Sequence, residues 1–205
     1  MTTQAEWIER ARRVLPSGGF GNFDPGIVLR EGRGARVWDQ DGREYVDLLI
    51  GSGPMLIGHS HPEVVEAVLE VVPRAKSFFA SNALGIELAE AICDAVPCAE
   101  QVRFVSTGGE ADMFAIRLAR AATGREAIVK FEGGYHGMSA EGQMSLAPQR
   151  LTNFPEAVPD SAGIPETVRH DVLVAPFNDL AFLESLLAER GNDIAALIVE
   201  PFQRI

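Results

Sequence analysis

Apolar and polar positions change period several times along the chain, and each change predicts an element. Residues 5–14 read as a short amphipathic helix stopped by Pro16 and the Ser17-Gly18-Gly19 cluster, and a glycine-rich arm then leads to Asp24-Pro25-Gly26. Short extended runs follow at Ile27-Val28-Leu29, Arg36-Val37-Trp38 and Glu44-Tyr45-Val46-Asp47. The last two flank Asp39-Gln40-Asp41-Gly42, whose Asp-Gly pair supplies the positive φ of a tight hairpin. From Pro62 the period becomes helical, with Val64, Val65, Val68, Leu69 and Val72 on one stripe, and a second helix carries Leu84, Leu88 and Ile92 at i, i+4, i+8.

The remainder alternates strand and helix. Val102–Val105 is predicted extended, 109–122 helical, Ala127–Phe131 extended, Asp171–Val174 extended, 179–190 helical and Ala196–Val199 extended. Short, continuously apolar strands between helices imply an α/β domain with a buried, mainly parallel sheet. Residues 132–170 have little regular pattern, and so long a stretch inside an α/β domain is expected to be functional or disordered.

Composition narrows the function classes. The 205 residues are 46% hydrophobic, enough for a packed core, and carry a net charge of −11, which argues against a partner held through phosphate contacts, so no nucleic acid is expected. No apolar run has the roughly 18 residues of a membrane span, and the first ten residues contain no signal-peptide core. Cys93 and Cys98 are too few for a disulfide framework and lack CxxC spacing. A cytoplasmic, non-membrane protein is the resulting expectation.

Four segments hold candidate chemistry. Ser106-Thr107-Gly108-Gly109 joins an extended run directly to a helix, so glycines let a ligand approach the free N–H groups of the first turn, where the helix dipole and the Thr107 hydroxyl suit a phosphate. A turn needed only for close strand–helix packing is the alternative. Neither GxGxxG nor GxxxxGK[ST] is present, which removes the main support for a nicotinamide-dependent dehydrogenase. Lys130-Phe-Glu-Gly-Gly-Tyr135-His136-Gly137 opens from a second strand end, where ligands of open α/β sheets bind. There Tyr135 offers a flat face and His136 an imidazole, unless each only satisfies loop hydrogen bonds. Glu200 ends an apolar strand as a candidate carboxylate or a loop cap. Gly58-His59-Ser60-His61-Pro62 lacks the further ligands of a metal site and reads as a helix start, and an EF-hand counted from Asp39 fails because its twelfth position is Ile50. No metal is expected.

Taken in order, Val37–Asp47, Gly58–Pro62, Val102–Arg120, Lys130–Gly137 and Ile198–Pro201 resemble the class-III aminotransferases, pyridoxal-phosphate enzymes of fold type I, in the branch of glutamate-1-semialdehyde aminomutase and the β-amino-acid transaminases. The resemblance implies an N-terminal arm and small-domain segment over residues 1–70 and the first part of the large cofactor-binding domain over 71–205. It implies that Thr107, Gly108 and Gly109 hold the cofactor phosphate, that Tyr135 stacks on the pyridine ring with His136 beside it, and that Glu200 joins the hydrogen-bond network of the ring substituents. Gly109 stands where the family usually has Thr or Ser. The Schiff-base lysine and the ring-nitrogen aspartate would fall beyond Ile205, since neither of the two lysines, Lys76 and Lys130, occupies a catalytic position. No catalytic residue is therefore assigned, and the chain is expected to be an inert N-terminal portion of an enzyme that moves an amino group between an amino donor and a keto or aldehyde acceptor, as a homodimer when complete. An aminomutase-like isomerase and a non-catalytic module docking on a full-length homologue are the alternatives.

Overall fold

The computed structural model describes residues 2–21, 26–74, 78–150 and 152–203. Asp24 and Pro25 of the arm, Lys76 and Ile205 lie outside the described residues. The chain divides into two compact units, residues 1–88 and 89–205.

In the first unit, helix α1 (Gln4–Val14) starts at a capping box in which Thr3 and Glu6 satisfy each other's backbone amides. Strands β1 (Leu29–Arg33), β2 (Arg36–Asp39) and β3 (Glu44–Val46) form an antiparallel meander in the order β1-β2-β3. The first strand lies two residues later than its apolar run predicts, because pairing of Gly32 with Val37 and Arg33 with Arg36 around the Gly34 turn sets the register. The β2–β3 turn is the Asp-Gly turn, with Gly42 at φ +87°. Buried Asp39 organises it, accepting from the Asp41 and Arg43 amides and from the Tyr45 hydroxyl at 2.8–3.0 Å. Asp47 accepts from Leu49 and Ile50 and lies 2.6 Å from His59 Nε2. Helix α2 (Pro62–Val71) has Pro62 in its first turn and follows His61, so the two-histidine segment serves as a helix start. Its stripe stays open: Val64, Val65, Val68, Leu69 and Val72 are 42–67% exposed. Helix α3 (Ala83–Ala95), within which the boundary between the units falls, contains no buried residue.

Asp39 and Asp47 are both held below the ordinary aspartate range. Burial pushes Asp39 up, but the Arg43 amide, the Tyr45 hydroxyl and the Asp41 amide together outweigh it. For Asp47 the His59 hydrogen bond lowers the value against burial, helped by the Ile50 and Leu49 amides. Carboxylates held below their unfolded pKa contribute stability above about pH 4 and lose it as pH falls through the folded value. Asp39→Asn is accordingly expected to lower the thermal midpoint at pH 7, with the difference from the unmutated protein shrinking as pH falls below about 4, read by tryptophan fluorescence.

The second unit holds the parallel sheet. Helix α4 (Gly108–Thr123), strand β4 (Ala127–Phe131), helix α5 (Glu166–His170), strand β5 (Val172–Ala175), helix α6 (Leu180–Arg190) and strand β6 (Ile194–Leu197) follow in sequence, and the strands pair in the order β5-β4-β6, both pairs parallel. Every residue of β4 and β5 is buried. Alternation along β4 builds two cores: Ala127, Val129 and Phe131 pack with Leu173, Leu186 and Ile194 toward α6, and Ile128 packs with Ile116, Met144, Val172 and Val174 on the α4 side.

Three expectations change here. Val102–Val105 is no strand: it joins no ladder among the described residues, where the sheet is β5-β4-β6 alone. Strand β6 lies two residues earlier than its most apolar run, since Ile194 and Ala196 pair with Ala127 and Ile128. Of the two expectations for 132–170, disorder does not hold for the described part of the segment: Met144 and Ala157 are at most 1% exposed and sit in the α4-side core.

Candidate functional site

The C-terminal end of β4 and the N-terminal end of α4 meet at a cleft of about 630 Å³ lined by Thr107–Glu110, Asp112, Met113, Tyr135 and Gly137–Ser139. Thr107 is the N-cap of α4 and closes a capping box: its hydroxyl oxygen accepts from the Glu110 amide at 3.1 Å, and Glu110 Oε2 accepts from the Ser106 and Thr107 amides at 2.7 and 3.1 Å. The capping box limits the amides left for a ligand. Ser106 and Thr107 N–H are taken, whereas Gly108 and Gly109 N–H have no protein acceptor among the described residues, and the Thr107 hydroxyl keeps its proton for donation. The signal was present in the sequence as Thr107-Gly-Gly-Glu110, the S/T-x-x-E pattern.

Opposite the helix, backbone meets backbone. A Cβ built on Gly137, which has φ +76°, would stand 2.4 Å from Gly109 Cα. Gly137 is therefore required on both conformational and steric grounds, and the contact brings the Tyr135–Ser139 segment against the first turn of α4. Tyr135 lines the cleft, and its amide donates to Glu200 Oε2 at 3.0 Å. Glu200 thus lies not at the end of β6 but three residues past Leu197, folded back onto the segment that leaves β4. Gln203 adds a second tie by donating to Glu132 O at 3.0 Å.

His136 is 5% exposed, and its Nε2 is buried without a hydrogen-bond partner among the described residues. Burial, then the nearby Lys130 amine, pushes the imidazole down, against the opposing pull of Asp112 and Glu200, so it is neutral at physiological pH. Burial likewise pushes the Asp112 carboxyl up, opposed by His136. Sequence reasoning did not single out Asp112, Met113, Met138 or Ser139, because side chains that line a cleft only after packing carry no motif. Among the described residues, no group of three His, Cys, Asp or Glu side chains gathers as a metal site, and no helix is long and apolar enough to cross a membrane.

The six residues expected to contact a cofactor, Thr107, Gly108, Gly109, Tyr135, His136 and Glu200, are all in the second unit. A parallel sheet flanked by helices, with a glycine-floored helix start beside an aromatic and a buried imidazole at the strand ends, is the architecture of the fold-type I pyridoxal-phosphate-dependent transaminases. An omega-transaminase from Sphaerobacter thermophilus superposes with a TM-score of 0.93 at 36% identity, covering 99% of this chain and 48% of that one. A structure described as a transaminase with PLP bound gives 0.90 at 34% identity, covering 98% of this chain and 47% of that one. The chain belongs to the class-III aminotransferase family, whose pattern matches residues 21–204. Glutamate-1-semialdehyde 2,1-aminomutase of Syntrophomonas wolfei is 44% identical over 205 residues, 96% of this chain and 46% of the relative. The chain thus spans about half the length of the relatives it matches. The family's cofactor is pyridoxal 5′-phosphate.

Proposed function

We propose that this cleft is the phosphate end of a pyridoxal 5′-phosphate site and that the complete protein transfers an amino group between an amino donor and a keto or aldehyde acceptor, acting as a homodimer. The observation that carries this reading is the pair of Gly108 and Gly109 amides, with no protein acceptor among the described residues, at a cleft that Tyr135 lines. A dianionic phosphate fits paired amides at the positive end of a helix dipole, with the Thr107 hydroxyl as a further donor. Tyr135 would lie against the pyridine ring and Glu200 would fix the Tyr135 backbone from behind, whereas His136, expected beside the ring, is buried and does not line the cleft. When bound, the cofactor supplies an electron sink for the electrons left as a substrate Cα–H bond breaks.

This chain's own residues bind and orient but do not turn over. Lys130 cannot act as the nucleophilic amine, because it is 1% exposed and its Nζ donates to the Gly142 and Met144 carbonyls. The 205-residue chain is expected to bind pyridoxal phosphate in calorimetry and to bind unphosphorylated pyridoxal at least tenfold more weakly. Borohydride should then leave no lysine adduct. Equal affinity for the two ligands would overturn the phosphate assignment.

Gly109→Ser supplies an internal check. Its Cβ would stand 3.4 Å from Gly137 Cα and 3.5 Å from Met138 N, ordinary contact distances. The added hydroxyl is expected to tighten binding about fivefold, equivalent to roughly 1 kcal/mol for one hydrogen bond. A 2,1-aminomutase activity is the second reading, favoured by the 44% identity to an aminomutase. Assaying the complete protein with glutamate-1-semialdehyde against amine and keto-acid pairs separates the two.

A further inference from the structure

Lys130 is a charged side chain on a strand whose residues are all buried, and the proposed transfer chemistry does not use it. It alternates onto the α4 side of β4, where its Nζ donates to Gly142 O at 3.2 Å and, more closely, to Met144 O. Both acceptors belong to the segment that leaves β4 and returns over the strand end. Gln143, between them, donates through Nε2 to Gly137 O at 3.2 Å, and its own amide donates to Ser139 O at 3.0 Å. Gly142 donates to Ser139 Oγ and is packed so closely that a Cβ there would meet His136 O at 2.5 Å. Gly137 in turn rests on Gly109. One continuous path of contacts therefore leads from the Lys130 amine to the first turn of α4.

We propose that Lys130 is the positioning residue of this cleft: its buried amine gathers the Gly142 and Met144 carbonyls and so holds residues 133–145 in the conformation that seats Gly137 on Gly109 and Tyr135 at the cleft wall. The ionisable groups that face the amine are Asp160, from the return of the same segment, and His136, whose imidazole the amine pushes down; β5 places Val174 opposite it in register. Asp160 is itself tied into the segment, accepting from the Leu146 and Ala147 amides.

The amine's own titration gives the sign of the pH effect. Burial, opposed by Asp160, lowers Lys130 to about 8 from 10.5. A segment that swings open returns the amine to water and to its higher pKa. Between those two values the open form binds more protons, so closure strengthens as pH rises through that window. A neutral amine still donates to both carbonyls.

Pulsed hydrogen exchange on the full chain, corrected for the intrinsic rise in exchange rate with pH, tests the proposal without any ligand. Protection of peptides spanning 133–145 should rise about tenfold between pH 8 and 10 relative to peptides from α6, and Lys130→Met should lose that rise and exchange about tenfold faster at pH 7 in this segment alone. A pH-independent ratio in the unmutated chain overturns the proposal without relying on a variant. Equal loosening of α6 and the 133–145 segment in Lys130→Met also overturns it, because that is the result of a merely structural role. The consequence for the cofactor rests on the function proposed above: Lys130→Met should weaken pyridoxal phosphate binding about tenfold. An unmutated chain that binds no pyridoxal phosphate counts against that function, and the exchange ratio still decides the role of Lys130.

Discussion

Gly137→Ala is expected to weaken pyridoxal phosphate binding about a hundredfold, near 2.7 kcal/mol, and to lower the thermal midpoint as well. Two costs combine at this position. The residue has φ +76°, where an L side chain is strained, and its Cβ would stand 2.4 Å from Gly109 Cα and 3.2 Å from Gly109 N. Both atoms struck are main chain, so no side-chain rotation relieves the contact, and either α4 or the Tyr135–Ser139 segment must move away. Gly108 provides the comparison: a Cβ there meets nothing within 4 Å, and Gly108→Ala should change stability by no more than about 0.5 kcal/mol. Titration of both variants with pyridoxal phosphate, with parallel melts, separates the contact from a general intolerance of side chains. Equal affinities would show that the close approach of Gly137 to Gly109 does not shape the cleft.

Met144→Ala is the second large effect, and it concerns stability. Met144 is fully buried among Ile116, Ile128, Val172 and Val174, although it comes from the segment with the least regular pattern in the sequence. Truncating it leaves a cavity in the α4-side core, and a loss of about 2–4 kcal/mol is expected in urea unfolding. A segment that only covered the cleft would tolerate the change within about 0.5 kcal/mol. The outcome therefore distinguishes a core element from a lid.

Much of the local structure could be read from the sequence because it is governed by neighbours in the chain. The helical period from Gly109 onward, the buried run Ala127–Phe131 and the Asp-Gly turn at Asp41-Gly42 all appear within a residue or two of expectation. The S/T-x-x-E capping pattern at Thr107 was equally local and changes the chemistry of the site. Its carboxylate occupies two amides that would otherwise face an anion, leaving those of Gly108 and Gly109.

Other features depend on what each segment meets. Val102–Val105 has the composition of a strand, yet a strand exists only where a second backbone completes its hydrogen bonds, and none does so among the described residues. The stripe on α2 has the period of a buried face and remains 42–67% exposed, because period shows which residues share a side and not whether anything covers it.

By itself, then, the sequence determined most of the element types, the parallel α/β class, the family and the glycine-bearing segments at the start of α4 and after β4. Only the tertiary structure decided that Gly137 touches Gly109, that Glu200 folds back to the Tyr135 amide across 65 residues, and that Lys130 turns inward to bind carbonyls of a segment more than ten residues away. The reason is physical: period and capping follow from short-range hydrogen bonding, whereas the partner of a buried donor is set by which backbone groups the packed chain leaves within its reach.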